Sequence, residues 1–388
     1  MTYALSDDQL AVQDLIRKVA REKVAPRADE IDRTAEYPQD MFDMLKGLGL
    51  FALPFAAEYG GTGDMLSACI AVEEFGRVCY NTGYLLVVQW VAFGALFAAG
   101  DEEQKARLLP GLATGELRGA FSTTEAQSGS DVSGIKTRAA PAPGGYRING
   151  AKIWCTNADV ADFVLVAAKI PSVGGKDSIN LFIVERGTQG FSVGRKEEKM
   201  GARGVPSCPL FFDDAFVPAA NRLGPEGGAG FKLVMEAFNT SRPIVAARAV
   251  GIAQGAIDHS IAFLQGRKAF GQPISDFQGL RWMIADMTMQ TVAARQLTYK
   301  AASMVNDGIT GQEMARFAAM AKCFASDTAM KVATDAVQLF GAAGVSAEYP
   351  IARYFRDAKV VQIIEGTNQI QRNIIANSLL GRESKRAH

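Results

Sequence analysis

The spacing of apolar residues changes period twice along this chain, which limits the folds open to it. Intervals of three to four residues run to about residue 118, short alternating stretches begin near Gly119, and helical intervals return from Phe231. In the first region Ser6-Asp7-Asp8-Gln9 has the form of a capping box, and Val12, Leu15, Ile16 and Val19 follow at helical spacing. Pro26 is expected to close that helix. Further helices are expected over 38–48, 66–77 and 84–99. The last is apolar nearly all round and should be buried.

In the middle region, Asn149-Gly150 between Tyr146-Arg147-Ile148 and Lys152-Ile153-Trp154-Cys155-Thr156 reads as the turn of a β-hairpin. Strand-like runs at 163–167, 181–184, 191–193 and 210–212 predict a small antiparallel sandwich or barrel, ended by the glycine-rich stretch 224–230. Long helices at 231–264, 277–306, 312–339 and 368–380 predict a four-helix bundle, with Met314, Phe317, Ala318 and Ala321 on the core side of the third. Gly341-Ala342-Ala343-Gly344 breaks the chain before the last. The fold class expected is mixed α and β, mainly α: a helical domain over 1–118, a β-domain over 119–227 and a helical bundle over 228–388.

Composition removes several functions. Forty-one basic residues balance forty-one acidic ones, so no general nucleic-acid footprint is expected. No run approaches a transmembrane span, and the first residues carry neither a secretory signal nor an Arg-rich transit pattern, so no membrane association is expected. The five cysteines, Cys69, Cys79, Cys155, Cys208 and Cys323, form no CxxC pair, which fits a reducing cytoplasm and no metal site. With only His259 and His388 present, acid–base chemistry falls to a carboxylate.

The segment Ile363-Ile364-Glu365-Gly366-Thr367-Asn368-Gln369 sets one carboxylate among apolar neighbours, which raises its pKa and suits a general base. It also reads as a connector leading into the last helix, with Glu365 near the positive end of the helix dipole. The loop 121–131 is rich in hydroxyls that can serve a ligand or simply make turns. Trp154 and Thr156 share a face of a regular strand, suited to a flat heterocycle or to a core. Arg267 is a helix-end cation or a phosphate ligand. The stretch 129–137 misplaces the lysine of a P-loop, and no strand feeds a G-x-G-x-x-G turn, so neither nucleotide motif is present.

Taken in order, six segments resemble the acyl-CoA dehydrogenase family of flavoproteins over essentially the whole chain. They are Phe121-Ser122-Thr123-Thr124-Glu125 through Val132, Lys152-Ile153-Trp154-Cys155-Thr156-Asn157, Ser241-Arg242-Pro243, Arg267-Lys268-Ala269-Phe270-Gly271-Gln272-Pro273, Asp335 through Gly341, and Ile363 through Gln369. The resemblance implies an FAD enzyme that oxidises an acyl-CoA to a trans-2-enoyl-CoA, with Glu365 taking the α-proton and flavin N5 the β-hydride. Ser241 stands where some members carry the base instead, and serine cannot take that role.

The resemblance assigns the cofactor to Phe121, Thr123, Thr124, Gly129, Ser130, Trp154, Thr156, Thr367 and Gln369, and to Arg267, Phe270, Gln278, Gln338, Phe340 and Gly341. Arg267 and 338–341 would reach the FAD of a neighbouring subunit in a homotetramer. It assigns the substrate to Ser130, Phe238, Asn239, Arg242 and Gly366, with Val87 and Trp90 at the acyl pocket. An electron-transfer flavoprotein is the implied electron acceptor. An oxidase or an enoyl-CoA reductase of the same fold is an alternative, as is the family's DNA-associated alkylation-response relative. Ala126 and Ala342 depart from the usual Pro and Gly, which puts the local backbone near the cofactor in question.

Overall fold

The structure, a computed structural model, describes residues 5–171 and 177–381, so His388 and the first four residues lie outside the described residues. Helix α1 (Asp7–Val19) starts where the capping box predicts: the Ser6 hydroxyl accepts from the Gln9 amide, and the Ser6 amide donates to Gln9 Oε1 at 3.0 Å. Pro26 does not end the helical path. It opens a 3₁₀ turn (Ala25–Arg27), where its missing N–H costs nothing, and the chain runs on into α2 (Ala28–Thr34). The break comes at Ala35, with φ 55°.

Helices α3 (Gln39–Gly47), α4 (Met65–Val78), α5 (Tyr80–Ala99) and α6 (Glu102–Thr114) complete the first region. At 20 residues α5 is long and apolar enough to cross a membrane, against the expectation that no run approaches that length; 78% of its apolar window is buried inside the protein, which accounts for the apolarity.

The middle strands are β1 (Gly119–Ser122), β2 (Arg138–Ala142), β3 (Gly145–Thr156), β4 (Phe163–Ile170), β5 (Ser178–Glu185), β6 (Phe191–Val193), β7 (Ser207–Pro218) and β8 (Arg222–Leu223). They form one sheet in the order β6-β7-β3-β2-β4-β5-β8, with β1 also on β4. The antiparallel expectation is corrected at two places: β1 and β2 pair parallel with β4. Neither is joined to β4 by a tight turn, so nothing forces the antiparallel sense.

The hairpin expected at Asn149-Gly150 is not there. Both residues lie inside β3, and the turn falls at Pro143-Gly144, between the paired Ala142 and Gly145. Asn149-Gly150 makes a bulge instead: the register with β7 slips there, and Asn149 Oδ1 accepts from the Asp214 amide at 2.8 Å. A Cβ at Gly150 would meet the Thr137 Cα at 2.8 Å, so glycine is needed for close approach rather than for a turn.

Helices α7 (Ala229–Gly266), α8 (Gln278–Asn306) and α9 (Gly311–Phe340) pack together. Between α7 and α8, β9 (Lys268–Ala269) and β10 (Gln272–Pro273) form a small hairpin with Phe270-Gly271 at its tip. Two further helices follow, α10 (Ile351–Ile363) and α11 (Asn368–Leu380), so among the described residues the C-terminal region has five helices where four were expected. Buried Ile351, Tyr354, Ala358 and Val361 give α10 its inner stripe. One core joins α1–α5 to α7–α10, and two smaller ones cover the faces of the sheet.

Candidate active site

Glu365 sits on the turn between α10 and α11. Ile364 is extended, Glu365 and Gly366 follow at φ 54° and 89°, and Thr367 caps α11 by accepting from the Ile370 amide. A glutamate at positive φ is uncommon and persists only where its surroundings hold it. Lys322 on α9 does so from below: its Nζ donates to the Gly366 carbonyl at 2.8 Å, to Asn368 Oδ1 at 2.9 Å and to the Gln362 carbonyl at 3.4 Å. Gln371 Nε2 donates to the carbonyls of Gly366 and Glu365 at 3.0 and 3.3 Å. A Cβ at position 366 would lie 2.6 Å from that amide nitrogen.

No described residue donates a hydrogen bond to the Glu365 carboxylate. Burial raises its pKa, and the positive charges of Arg248, Lys322 and Arg242 offset this only in part. Burial in turn lowers Lys322 to about 8 against the opposing pull of Glu365. Arg248, on α7, is fully buried with its guanidinium 4.0 Å from the Tyr84 ring and 4.6 Å from the Tyr80 ring. Lys322, Arg248, Tyr80 and Tyr84 were not singled out by motif. Their signal in the sequence is a cation inside an apolar run: Arg248 within Ile244–Val250, and Lys322 one turn past Ala318 on the core stripe.

The loop after β1 is pinned by a buried carboxylate. Glu125 takes hydrogen bonds from Lys152 Nζ (2.7 Å), the Thr137 hydroxyl (2.6 Å) and the amides of Lys136 and Thr137 (2.6 and 3.0 Å). Burial would raise this carboxyl, but those donors outweigh it and hold it at about 2. Ala126 is exposed in the turn from Glu125 to Ser128, which closes through two 3.0 Å backbone bonds without the usual proline. Ala342 is likewise exposed, in the 3₁₀ turn Gly341–Val345.

Above Glu125 the carbonyls of Thr123 and Thr124 are tied to Lys152 Nζ and the Ile153 amide, and their hydroxyls bond to no described protein group. Gly129 and Ser130 are exposed. The single-face argument for Trp154 and Thr156 fails, because the register slips between Lys152 and Cys155 and Trp154 has φ 59°. The bulge leaves Trp154 52% exposed, while Thr156 Oγ1 lies 3.4 Å from the Tyr84 hydroxyl. A bare indole beside free hydroxyls fits a flavin ring and its chain, as the resemblance implies.

Arg267, Phe270, Gln278, Gln338, Gly341 and Gln369 are exposed, and Thr367 is half-buried. Phe270 is bare at the tip of its hairpin, with 95% of its surface in solvent. Phe340 departs from the group: its side chain is buried, stacked on Phe263 at 4.1 Å. On the substrate side, Phe238 meets Phe121 edge-on at 5.0 Å, and Arg242 binds Asn239 Oδ1 while its buried Nε has no partner. Val87 is buried on α5. Trp90 donates to the Phe51 carbonyl at 2.8 Å, a tie within the helical core, and helix geometry places it about 120° round the axis from Tyr84.

Three family models match the chain: "Acyl-CoA dehydrogenase, N-terminal domain" over 6–116, the middle domain over 120–215 and the C-terminal domain over 228–380. An acyl-CoA dehydrogenase of Bacillus subtilis (strain 168) is 42% identical over 380 residues, covering 97% of this chain and 99% of the relative. The butyryl-CoA dehydrogenase of Megasphaera elsdenii superposes with TM-score 0.93 at 39% identity, over 98% of this chain and 100% of that one. A glutaryl-CoA dehydrogenase of Mycobacterium smegmatis, solved with FADH2, does so at 0.91 and 25% identity, over 98% and 97%. The motifs, the fold and these likenesses agree: the chain belongs to the acyl-CoA dehydrogenase family, FAD-dependent oxidoreductases that act on CH–CH groups.

Proposed function

We propose that the protein oxidises an acyl-CoA thioester to the trans-2-enoyl-CoA and hands the electrons to an electron-transfer flavoprotein. Glu365 removes the α-proton. The FAD supplies the acceptor for the β-hydride. The observation that carries this reading is the state of Glu365: half-buried, its carboxylate free of hydrogen bonds from described residues, raised in pKa, on a turn held by Lys322 and Gln371. A base so placed keeps its lone pairs for substrate.

In this reading Trp154, Thr156 and the 121–131 loop hold the flavin of their own subunit with Thr367 and Gln369. Phe238, Asn239, Arg242, Ser130 and Gly366 meet the CoA thioester, and Val87 stands at the acyl pocket. Three domains, 1–118, 119–227 and 228–388, divide these tasks. A homotetramer is supported by α8, where Trp282, Ala285, Met289 and Val292 leave an apolar stripe in solvent, and by the bare Arg267–Phe270 hairpin that would reach a neighbour's FAD. Five buried free cysteines suit the cytoplasm.

The test is Glu365→Gln, followed by anaerobic flavin reduction after mixing with an acyl-CoA. Size is kept and the base is lost, so the thioester still binds while reduction slows by about 10²–10⁴-fold. A near wild-type rate would move the base elsewhere.

A further inference from the structure

Among the described residues Arg248 is an unusual cation. It is fully buried, and none of its three guanidinium nitrogens has a hydrogen-bond partner. A guanidinium has five N–H donors, and a buried one without an anion is expensive. Its neighbours are the Tyr80 and Tyr84 rings from α5, which take the charge over their faces, and Gly76 of α4. A Cβ at Gly76 would lie 3.1 Å from the Arg248 carbonyl oxygen, so the glycine lets α4 and α7 close behind the arginine.

The Tyr80 hydroxyl is buried too, and it is likewise unpartnered. Glu365 is the carboxylate whose charge reaches both Arg248 and Tyr80 from the reaction site, yet neither donates to it. Asp357, the other carboxylate acting on Tyr80, is already occupied by the Ala202 amide at 2.7 Å. Two buried groups with unfilled donors, a guanidinium and a phenol hydroxyl, therefore lie together on facing helices, the guanidinium 4.6 Å from the Tyr80 ring.

We propose that Arg248 and Tyr80 receive a carboxylate at the far end of the acyl group, so that the substrate is the CoA thioester of a dicarboxylic acid. The inference rests on the dehydrogenase reading above and refines its substrate class. An ω-carboxylate offers two oxygens to the planar guanidinium fork, and the tyrosine hydroxyl donates to one of them. The carboxylate is a spectator: one proton leaves the α-carbon for Glu365, one hydride leaves the β-carbon for FAD, and the carbon skeleton is unchanged. A plain alkyl tail would leave the arginine buried against hydrocarbon, and a site built for hydrogen bonds discriminates strongly against a group that lacks them.

The test uses holoenzyme, with succinyl-, glutaryl- and adipoyl-CoA set against butyryl-, valeryl- and hexanoyl-CoA. Binding is followed by calorimetry and flavin reduction by anaerobic mixing. One carboxyacyl thioester should bind and react at least about 30-fold better than every neutral one. Arg248→Gln should abolish that preference, and Arg248→Lys should keep it in weakened form. If Arg248→Gln does not accumulate with bound FAD, the wild-type series and the lysine variant carry the comparison. Preference for neutral thioesters in the wild type, with the same ratios in the variants, overturns the proposal. Carboxylate binding that depends on Arg248, without flavin reduction by any thioester, would support it and sink the dehydrogenase reading instead.

Discussion

Glu125 is buried and Glu365 half-buried, and the two carboxylates differ most in what meets them. Glu125 takes five hydrogen bonds, one of them from a buried ammonium, and it is held at about 2. Glu365 lies among helices with three cations nearby and no donor in reach, and its pKa is raised. Charge at a distance is a weak substitute for a hydrogen bond to the charged form. The first arrangement makes a structural anchor beneath the loop assigned to the cofactor. The second leaves a base with nothing to break before it takes a proton.

The contrast can be broken from either side. Lys152→Met strands the Glu125 charge and should cost about 3–5 kcal/mol of stability, read as a lowered denaturation midpoint, with loss of FAD as the loop loosens. Unchanged stability would mean that Glu125 is not an anchor. Thr137→Val removes one donor of several and should cost about 1–3 kcal/mol in the same assay.

Lys322→Met acts on the other carboxylate. It removes a nearby positive charge, so the Glu365 pKa should rise further and the acid limb of kcat/KM should move to higher pH, with the loss of activity largest on the acid side of that limb. A fall in activity with no movement of the pH profile would make Lys322 a strut only.

The parts legible in the sequence were those set by neighbours in the chain. Ser6 and Gln9 make their box, residues 191–193 form their strand, and α11 spans the residues expected. Asn149-Gly150 misled because the same dipeptide serves a turn or a bulge, and only the partner strand decides. Helix α10 was missed behind Tyr349-Pro350, where the proline that signals a break also starts a helix. Glu365 was found from its isoleucine neighbours, yet Ile363 is exposed. The charged companions of Glu365, Arg248 on α7 and Lys322 on α9, reach it only through tertiary packing. Trp90, expected at the pocket, is tied by its indole N–H to Phe51, a contact that helical spacing does not reveal.

The central claim is that Glu365 works as a base because burial without donors keeps its pKa above the ordinary 4.5. The pH dependence of kcat/KM for flavin reduction by acyl-CoA in anaerobic holoenzyme reads this most directly, since its acid limb reports the base in the free enzyme. Activity should rise with pH through a limb lying above 4.5, and that limb should be absent from the residual rate of Glu365→Gln. A limb at or below 4.5, or one that survives the substitution, would contradict it.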